Sequence, residues 1–240
     1  MSRSDASGRA PANRLLAALP PRVFDRLRPS FEFVPLPLRK VLHEPGDAIR
    51  YVYFPCSGVV SVVIPPDGKG DGVEVGLVGR EGVVGVPVVL GADSTPARWV
   101  VQVPGEALRM SADLVRIHAG RGPLHDLLLL YANAYLVQVC QSVACNALHP
   151  VEERLCRWLL GVHARVESDH FPLTHEFIAA MLGVRRASVT QAARGLQEAG
   201  LIRYGRGRLE VLDRPGLESA ACGCHRIGQA ELARLPGNGV

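Results

Sequence analysis

The sequence predicts an α+β chain in three successive parts: an N-terminal antiparallel β-roll (jelly-roll-like), one long helix, and a C-terminal helix-turn-helix with a β-wing. Three observations carry this. Short β-branched or aromatic runs alternate with turn formers over the first half, residues 123–148 keep a helical pattern, and residues 173–212 read as helix, glycine turn, helix, strand, turn and strand. With 240 residues, 48% of them hydrophobic, the chain is long enough for two small cores.

Residues 1–13 are small and polar and are expected to fray. Two short helical pieces follow, at 14–18 and 23–27, before the pattern changes to strands at 51–54, 59–64, 73–77 and 99–103. Between them stand Pro45-Gly46-Asp47, Pro65-Pro66-Asp67-Gly68 and Gly91-Ala92-Asp93, all turn formers. Strands this short and this closely spaced imply an antiparallel sandwich or barrel, here assigned to residues 14–122.

Pro123 then opens a helix reaching to about Leu148. Leu127, Leu130, Ala134, Val137, Gln141, Ala144 and Leu148 recur by threes and fours, as in a coiled-coil seam. A second apolar row runs through Leu129, Ala132, Leu136, Val139 and Val143. A helix apolar on two sides needs two partners. The first row, from Leu127 to Ala144, is assigned to the same helix of a second copy, making residues 123–149 a dimerisation helix, and the second row to the β-roll. An ordinary buried helix in a monomer satisfies the same spacing. His149-Pro150 ends the segment, a new helix spans 151–162, and the C-terminal unit is taken as 150–214 with an extension at 215–240.

The stretch Leu173-Thr174-His175-Glu176-Phe177-Ile178-Ala179-Ala180-Met181-Leu182-Gly183-Val184-Arg185-Arg186-Ala187-Ser188-Val189-Thr190 carries the most information. Thr174 caps a first helix whose Phe177, Ile178, Met181 and Leu182 face a core; Gly183 makes the turn; and a second helix, 186–199, turns Val189, Ala193 and Leu196 inward. Arg185, Arg186, Ser188, Gln191 and Arg194 are left facing out. Such a set suits a major groove: arginine bonds guanine O6 and N7, glutamine bonds adenine N6 and N7, and serine bonds phosphate. Gly200-Leu201-Ile202-Arg203-Tyr204, the turn Gly205-Arg206-Gly207-Arg208, and Leu209-Glu210-Val211-Leu212 then form a wing, with arginines for the sugar-phosphate backbone. The net charge is only +4, but residues 181–208 carry Arg185, Arg186, Arg194, Arg203, Arg206 and Arg208 against Glu198 alone.

In this order of parts, over about residues 13–213, the chain resembles the CRP/FNR family of bacterial transcription factors. The resemblance rests on Glu44-Pro45-Gly46-Asp47, Tyr51-Val52-Tyr53-Phe54 and Ser57-Gly58-Val59-Val60 in the roll, and on residues 182–189 in the helix-turn-helix. It implies a winged helix-turn-helix that reads a two-fold symmetric operator as a homodimer, with Arg186 on a guanine. Double-stranded DNA, a second copy and RNA polymerase are the implied partners. Ala187 and Gln191 depart from the Glu and Arg of the best-known members, so the operator is expected to differ. The full DNA-binding set is Thr174, Arg185, Arg186, Ser188, Gln191, Arg194, Arg203 and Arg206.

The resemblance also frames a candidate effector pocket at Gly85, Val86, Arg98, Val139 and Cys140. In cyclic-AMP-binding members a Gly-Glu holds the ribose, an Arg-Ser holds the cyclic phosphate, and a hydroxyl pair on the long helix contacts adenine. Here the first reads Gly85-Val86-Pro87, the second Pro96-Ala97-Arg98-Trp99, and the third Val139-Cys140. Without the carboxylate and hydroxyls, desolvating a cyclic nucleotide is uncompensated. Cyclic AMP is therefore not expected, no cofactor is assigned, and Arg98 is either an anion ligand or a surface arginine.

Cys56 is the first cysteine, which argues against an N-terminal iron-sulfur site. Cys140 and Cys145 read as packing, with a Cys140 pair across a dimer as a redox alternative. Cys222-Gly223-Cys224-His225 could bind a soft metal or oxidise, but offers at most three ligands, so no metal site is assigned. Only His43 lies in the roll, too few histidines for a cupin-type metal enzyme, and no nucleophile or phosphate-loop signature occurs, so no catalytic residue is named. The apolar region 127–140 is interrupted by Asn133 and Gln138 and falls short of the ~18 residues of a membrane span. No basic-plus-apolar leader opens the chain, so a cytoplasmic location with reduced thiols is expected. An effector-independent scaffold and a thiol or metal redox sensor remain as alternatives to an effector-responsive regulator.

Overall fold

In the computed structural model, which describes residues 12–67, 72–166, 168–205 and 207–237, the chain is tied down from Asn13 onward. The Asn13 side chain is fully buried, donates to the carbonyls of Pro55 and Gly82 at 2.9 Å each, and accepts from the Leu16 N–H. Fraying thus does not extend to residue 13 as expected, because a buried amide with three partners is held; residues 1–11 lie outside the described residues. Short helices α1 (Arg14–Ala17) and α2 (Pro21–Leu27) follow.

Strands β1 (Glu32–Leu36), β2 (Val41–His43), β3 (Tyr51–Pro55), β4 (Val59–Ile64), β5 (Val73–Val78), β6 (Arg98–Val103) and β7 (Gly105–Ser111) build two antiparallel sheets, ordered β1-β7-β3 and β2-β6-β4-β5. Sequence reading identified β3, β4, β5 and β6 and missed β1, β2 and β7. The missed strands carry Glu32, Pro35, Glu106 and Arg109, and β7 owes its conformation to ladders with β1 on one side and β3 on the other. Helices α3 (Val86–Val89) and α4 (Ala112–His118) complete the roll.

Helix α5 runs Pro123–Leu148, with proline in its first turn as expected. Its rotation about its own axis is set by Tyr131 and Tyr135, which reach into the roll. Tyr131 stacks on Tyr135 at 6.2 Å between ring centroids, Tyr135 stacks on Trp99 at 6.0 Å, and His43 meets Trp99 edge-on at 6.1 Å. The fit is close enough to demand glycine: a Cβ at Gly76 would stand 2.9 Å from the Tyr135 ring.

This rotation exchanges the two apolar rows. Leu127 and Ala134, assigned to a partner copy, are buried with Leu124, Leu128 and Tyr131 in the core shared with α1 and α2. The exposed stripe is instead Leu129, Asn133, Leu136, Cys140, Val143 and Ala147, with Leu130 and Leu148 on its flank. Leu136 and Val143 are each 60% exposed. Spacing by threes and fours defines a stripe but not which neighbour covers it. Val137 and Ala144 are half-buried beside the stripe. The helix also corrects the span estimate, since its full 26 residues are long and apolar enough by composition to cross a membrane. Its amide interruptions carry no charge, and its buried face is the roll's core.

The C-terminal unit comprises α6 (Val151–His163), β8 (His170–Pro172), α7 (His175–Leu182), α8 (Arg186–Glu198), β9 (Ile202–Gly205) and β10 (Arg208–Val211), its strands ordered β8-β10-β9. It shares its core with the roll: Val59, Val63 and Leu77 lie in one cluster with Leu155, Trp158, Leu159, Ile178 and Leu182. Buried polar contacts fix this junction. Arg165 pairs with Glu81 at 2.7 Å and donates to Gln138 at 3.0 Å, Gln138 donates to the Leu77 carbonyl at 3.0 Å, and Trp158 donates to Glu74 at 2.8 Å. Gly183, at φ 63°, turns between α7 and α8 so close to β5 that a Cβ would meet Val73 at 2.9 Å.

Beyond the wing, α9 (Arg214–Ala220) packs on α6, and α10 (Cys224–Ala233) returns along α5, with Leu232 and Leu235 reaching Leu15 and Leu16. The region read only as an extension is thus part of the folded body.

Burial at the junction raises the Glu74 carboxyl to about 7 from an ordinary 4.5. The stabilisation that its neutral form provides is complete below about pH 4.5 and is lost as the pH rises through about 7. Glu74→Gln keeps the acceptor for Trp158 and removes the charge. It is expected to flatten the dependence of melting temperature on pH between about 5 and 8, and to stabilise the chain by roughly 3 kcal/mol at the upper end. Melting curves across that range check this; an unchanged profile contradicts it.

Candidate nucleic-acid interface

Thr174 begins α7 as expected, its hydroxyl accepting from the Phe177 N–H at 3.1 Å. That oxygen is committed to capping the helix. After the Gly183 turn, Arg185 stands at the N-cap of α8, and Val189, Ala192, Ala193 and Leu196 are buried beneath it. The amphipathic pattern follows helical spacing, so the polar face has one direction open to it.

That face is a shallow exposed concavity lined by Arg186, Ala187, Thr190, Gln191 and Arg194. Arg185 is exposed beside it, whereas Ser188 is half-buried and lies outside it. Thr190 was missed, although it stands one turn from Arg186. Its hydroxyl lies 3.1 Å from His175 Nδ1, and the His175 ring stacks on Tyr204 at 4.2 Å with 15° between planes. Tyr204 in turn donates its N–H to Gln197 at 2.8 Å and its hydroxyl to the Leu173 carbonyl at 3.3 Å. Burial, then the Arg186 charge, lower the His175 pKa, so the imidazole works here as a neutral spacer joining α7, α8 and the wing. No linear motif signals this trio, because its members come from three elements.

Folding adds Glu176 and Glu210 to the Glu198 that the linear count over residues 181–208 contained. Arg186 pairs with Glu176 at 2.9 Å, Arg194 with Glu198 at 2.7 Å, and Arg203 with Glu210, its cross-strand partner, at 2.6 Å. Arg186 and Glu176 are 67% and 60% exposed, so a pair of this kind contributes only about 0–1 kcal/mol and yields readily to another anion. Arg208 is exposed on β10, and Arg206 lies outside the described residues.

The candidate effector residues do not converge. Gly85 caps α3 at φ 102° and Val86 is buried against the core below α5. Arg98 faces away from Trp99 and pairs with Glu44 at 2.9 Å, which is the surface-arginine alternative. Cys140 is on the exposed stripe of α5, turned from the roll, and Val139 is half-buried. Successive residues of a strand or helix point different ways, so proximity in an aligned motif did not translate into a shared cavity. Gln141, assigned to the dimer, lines a cleft beside Arg157, Cys224 and His225 under α10.

The extension corrects the three-ligand count. Cys222 and Cys224 meet Cys145 of α5 and His149, which caps that helix, and the four ligand atoms lie within 4.8 Å of one another; His225 is not among them.

Residues 153–220 match the family model of the Crp-like helix-turn-helix domain. The structure superposes on a transcriptional regulator of the crp/fnr family from Eubacterium rectale with a TM-score of 0.67 at 16% identity, covering 88% of this chain and 97% of that one. FixK2 from Bradyrhizobium japonicum gives a TM-score of 0.67 at 15% identity, covering 80% and 98%. CLP, a c-di-GMP responsive global regulator of Xanthomonas campestris, gives 0.63 at 17% identity, covering 80% and 99%. No curated protein matches the sequence. Residues 153–220 are therefore a Crp-like helix-turn-helix domain, carried on a chain with the fold of CRP/FNR-family transcriptional regulators.

Proposed function

We infer that this chain is a homodimeric, sequence-specific DNA-binding transcriptional regulator that acts in the cytoplasm and contacts RNA polymerase from a two-fold symmetric operator. The observation that carries this reading is the exposed face of α8, where Arg186, Thr190, Gln191 and Arg194 line one concavity beside the wing. Arg186 exchanges Glu176 for a guanine edge, Gln191 reads adenine, and Arg185, Arg194, Arg203 and Arg206 serve the backbone. Thr174 holds the start of α7 as its cap, and Ser188 is half-buried at the edge of the α8 face.

The second copy docks on the stripe of Leu129, Leu136, Cys140 and Val143, which supplies a coiled-coil spacing and an apolar surface with no partner among the described residues of the chain. Residues 14–122 form the sensor, 123–149 the dimerisation helix and 150–214 the DNA-binding unit. The sensed effector is a compound other than cyclic AMP, since Arg98 is held by Glu44 and the arginine and carboxylate that a cyclic nucleotide needs are not gathered. The stack of Trp99, Tyr135 and Tyr131 between roll and α5 favours a second reading, a roll that supports dimerisation without an effector.

Four measurements test these readings. Selection from a random duplex pool is expected to enrich a palindrome with half-sites about 10 bp apart, and Arg186→Ala to lose about 1–3 kcal/mol with relaxed preference at one base position; equal losses on selected and random DNA count against base reading. Leu136→Glu with Val143→Glu is expected to give a monomer by sedimentation and to weaken operator binding, whereas a persistent dimer rejects the seam. In a thermal-shift panel of nucleotides and metabolites, an effector at 100 times its Kd adds about 2.7 kcal/mol; no shift from any compound supports the scaffold reading.

A further inference from the structure

The reversal between α9 and α10 brings Cys222 and Cys224 against the end of α5, where Cys145 stands in the last turn and His149 is the extended capping residue that donates its N–H to the Cys145 carbonyl at 3.1 Å. Cys145 Sγ lies 3.5 Å from Cys222 Sγ, and Cys224 Sγ lies 3.7 Å from His149 Nδ1. Cys145, Cys222 and Cys224 are buried as a small cluster of their own, apart from the larger apolar cores. From α6, Arg157 directs its Nε–H at Cys145 Sγ, 3.1 Å away.

We propose that Cys145, His149, Cys222 and Cys224 form a four-coordinate site for a zinc-class divalent cation. Zinc bonds thiolate sulfur at about 2.3 Å and imidazole nitrogen at about 2.0–2.1 Å, and a tetrahedron with those edges sets its ligand atoms roughly 3.5–3.8 Å apart. Two of the separations already have that size, and all are within 4.8 Å, a difference that side-chain rotation covers. Three sulfurs and one imidazole nitrogen are the donor set of closed structural zinc sites. Three thiolates and one dication carry a net charge of −1, which the Arg157 guanidinium offsets while donating to a ligand sulfur. Pure packing leaves that guanidinium pointed at a neutral thiol, and a Cys145–Cys222 disulfide leaves Cys224 and His149 without a role.

The cation would tie the α9–α10 reversal to the point where α5 turns into α6 at His149-Pro150. Both ends of the link matter. Helix α5 carries the exposed apolar stripe, and α6 packs directly against α8. The site itself stands without the DNA-binding reading; only the consequence, that metal sets the rigidity of the joint between stripe and recognition helix, rests on it.

The test uses the full-length chain purified without chelator or metal-affinity resin. Elemental analysis and native mass spectrometry are expected to find one zinc per chain. After stripping under reducing conditions, titration with Co2+ is expected to saturate at one equivalent, with the visible ligand-field bands and near-ultraviolet thiolate charge transfer of a tetrahedral sulfur-rich site. Cys222→Ser with Cys224→Ser abolishes that spectrum, His149→Cys retains it, His225→Ala leaves it unchanged, and Arg157→Gln weakens binding about 10- to 100-fold. The proposal is overturned if the wild-type chain, folded by circular dichroism, neither contains zinc nor develops the cobalt spectrum. It is equally overturned if His225→Ala loses binding as Cys222→Ser does, or if Cys145 and Cys222 form a disulfide in reduced preparations. None of these readouts involves DNA, so failure here and failure to select an operator are separate results.

Discussion

The stacking of Tyr131 and Tyr135 beneath Trp99 fixes the rotation of α5, and much of the molecule depends on that angle. With these two rings directed into the roll, Leu127, Leu128 and Ala134 must be core, and the opposite stripe through Leu136 and Val143 must face outward. The same angle aims Gln138 at Leu77 and Arg165, and turns Cys145 and His149 toward the α9–α10 reversal. A helix is rigid over 26 residues, so one aromatic contact near its start decides what every later turn presents.

The joint between roll and C-terminal unit combines an apolar seam with buried charge. Removing either partner of Arg165–Glu81 strands an unpaired charge at 4% or 8% exposure, a loss of about 3–5 kcal/mol. Apolar burial supplies the attraction, and the ion pair with its Gln138 and Gly161 contacts supplies the register. Polar contacts of this kind hold one orientation and penalise others, which suits a molecule whose parts must be set at a defined angle to bind a repeated lattice such as DNA.

The surface around α8 follows the opposite logic. Arg186 and Arg194 are paired with the exposed Glu176 and Glu198, and Arg203 with the half-buried Glu210, so these side chains are oriented while the two exposed pairs remain cheap to release. The neutral His175 ring, held between Tyr204 and Thr190, joins helix and wing without adding charge to the face. Rigid support below and labile ion pairs above are compatible with trading carboxylates for phosphates and base edges.

Local chemistry made the helix-turn-helix legible from the chain alone: Thr174 as cap, Gly183 as the only residue type at ease in that turn, and Val189, Ala193 and Leu196 at helical spacing require no distant partner to be recognised. Turn formers and β-branched runs likewise revealed the roll, although β1, β2 and β7 owe their conformation to neighbouring strands and left little trace in their own residues. Tertiary structure alone decided which stripe of α5 is free, where Arg98 and Cys140 point, that Glu176 and Glu210 join the basic face, and that Cys145 and His149 meet Cys222 and Cys224 across 77 and 75 residues of chain. Periodicity specifies a direction relative to the helix axis, whereas a site is a meeting of directions from separate elements. Those directions are fixed only once the elements have packed.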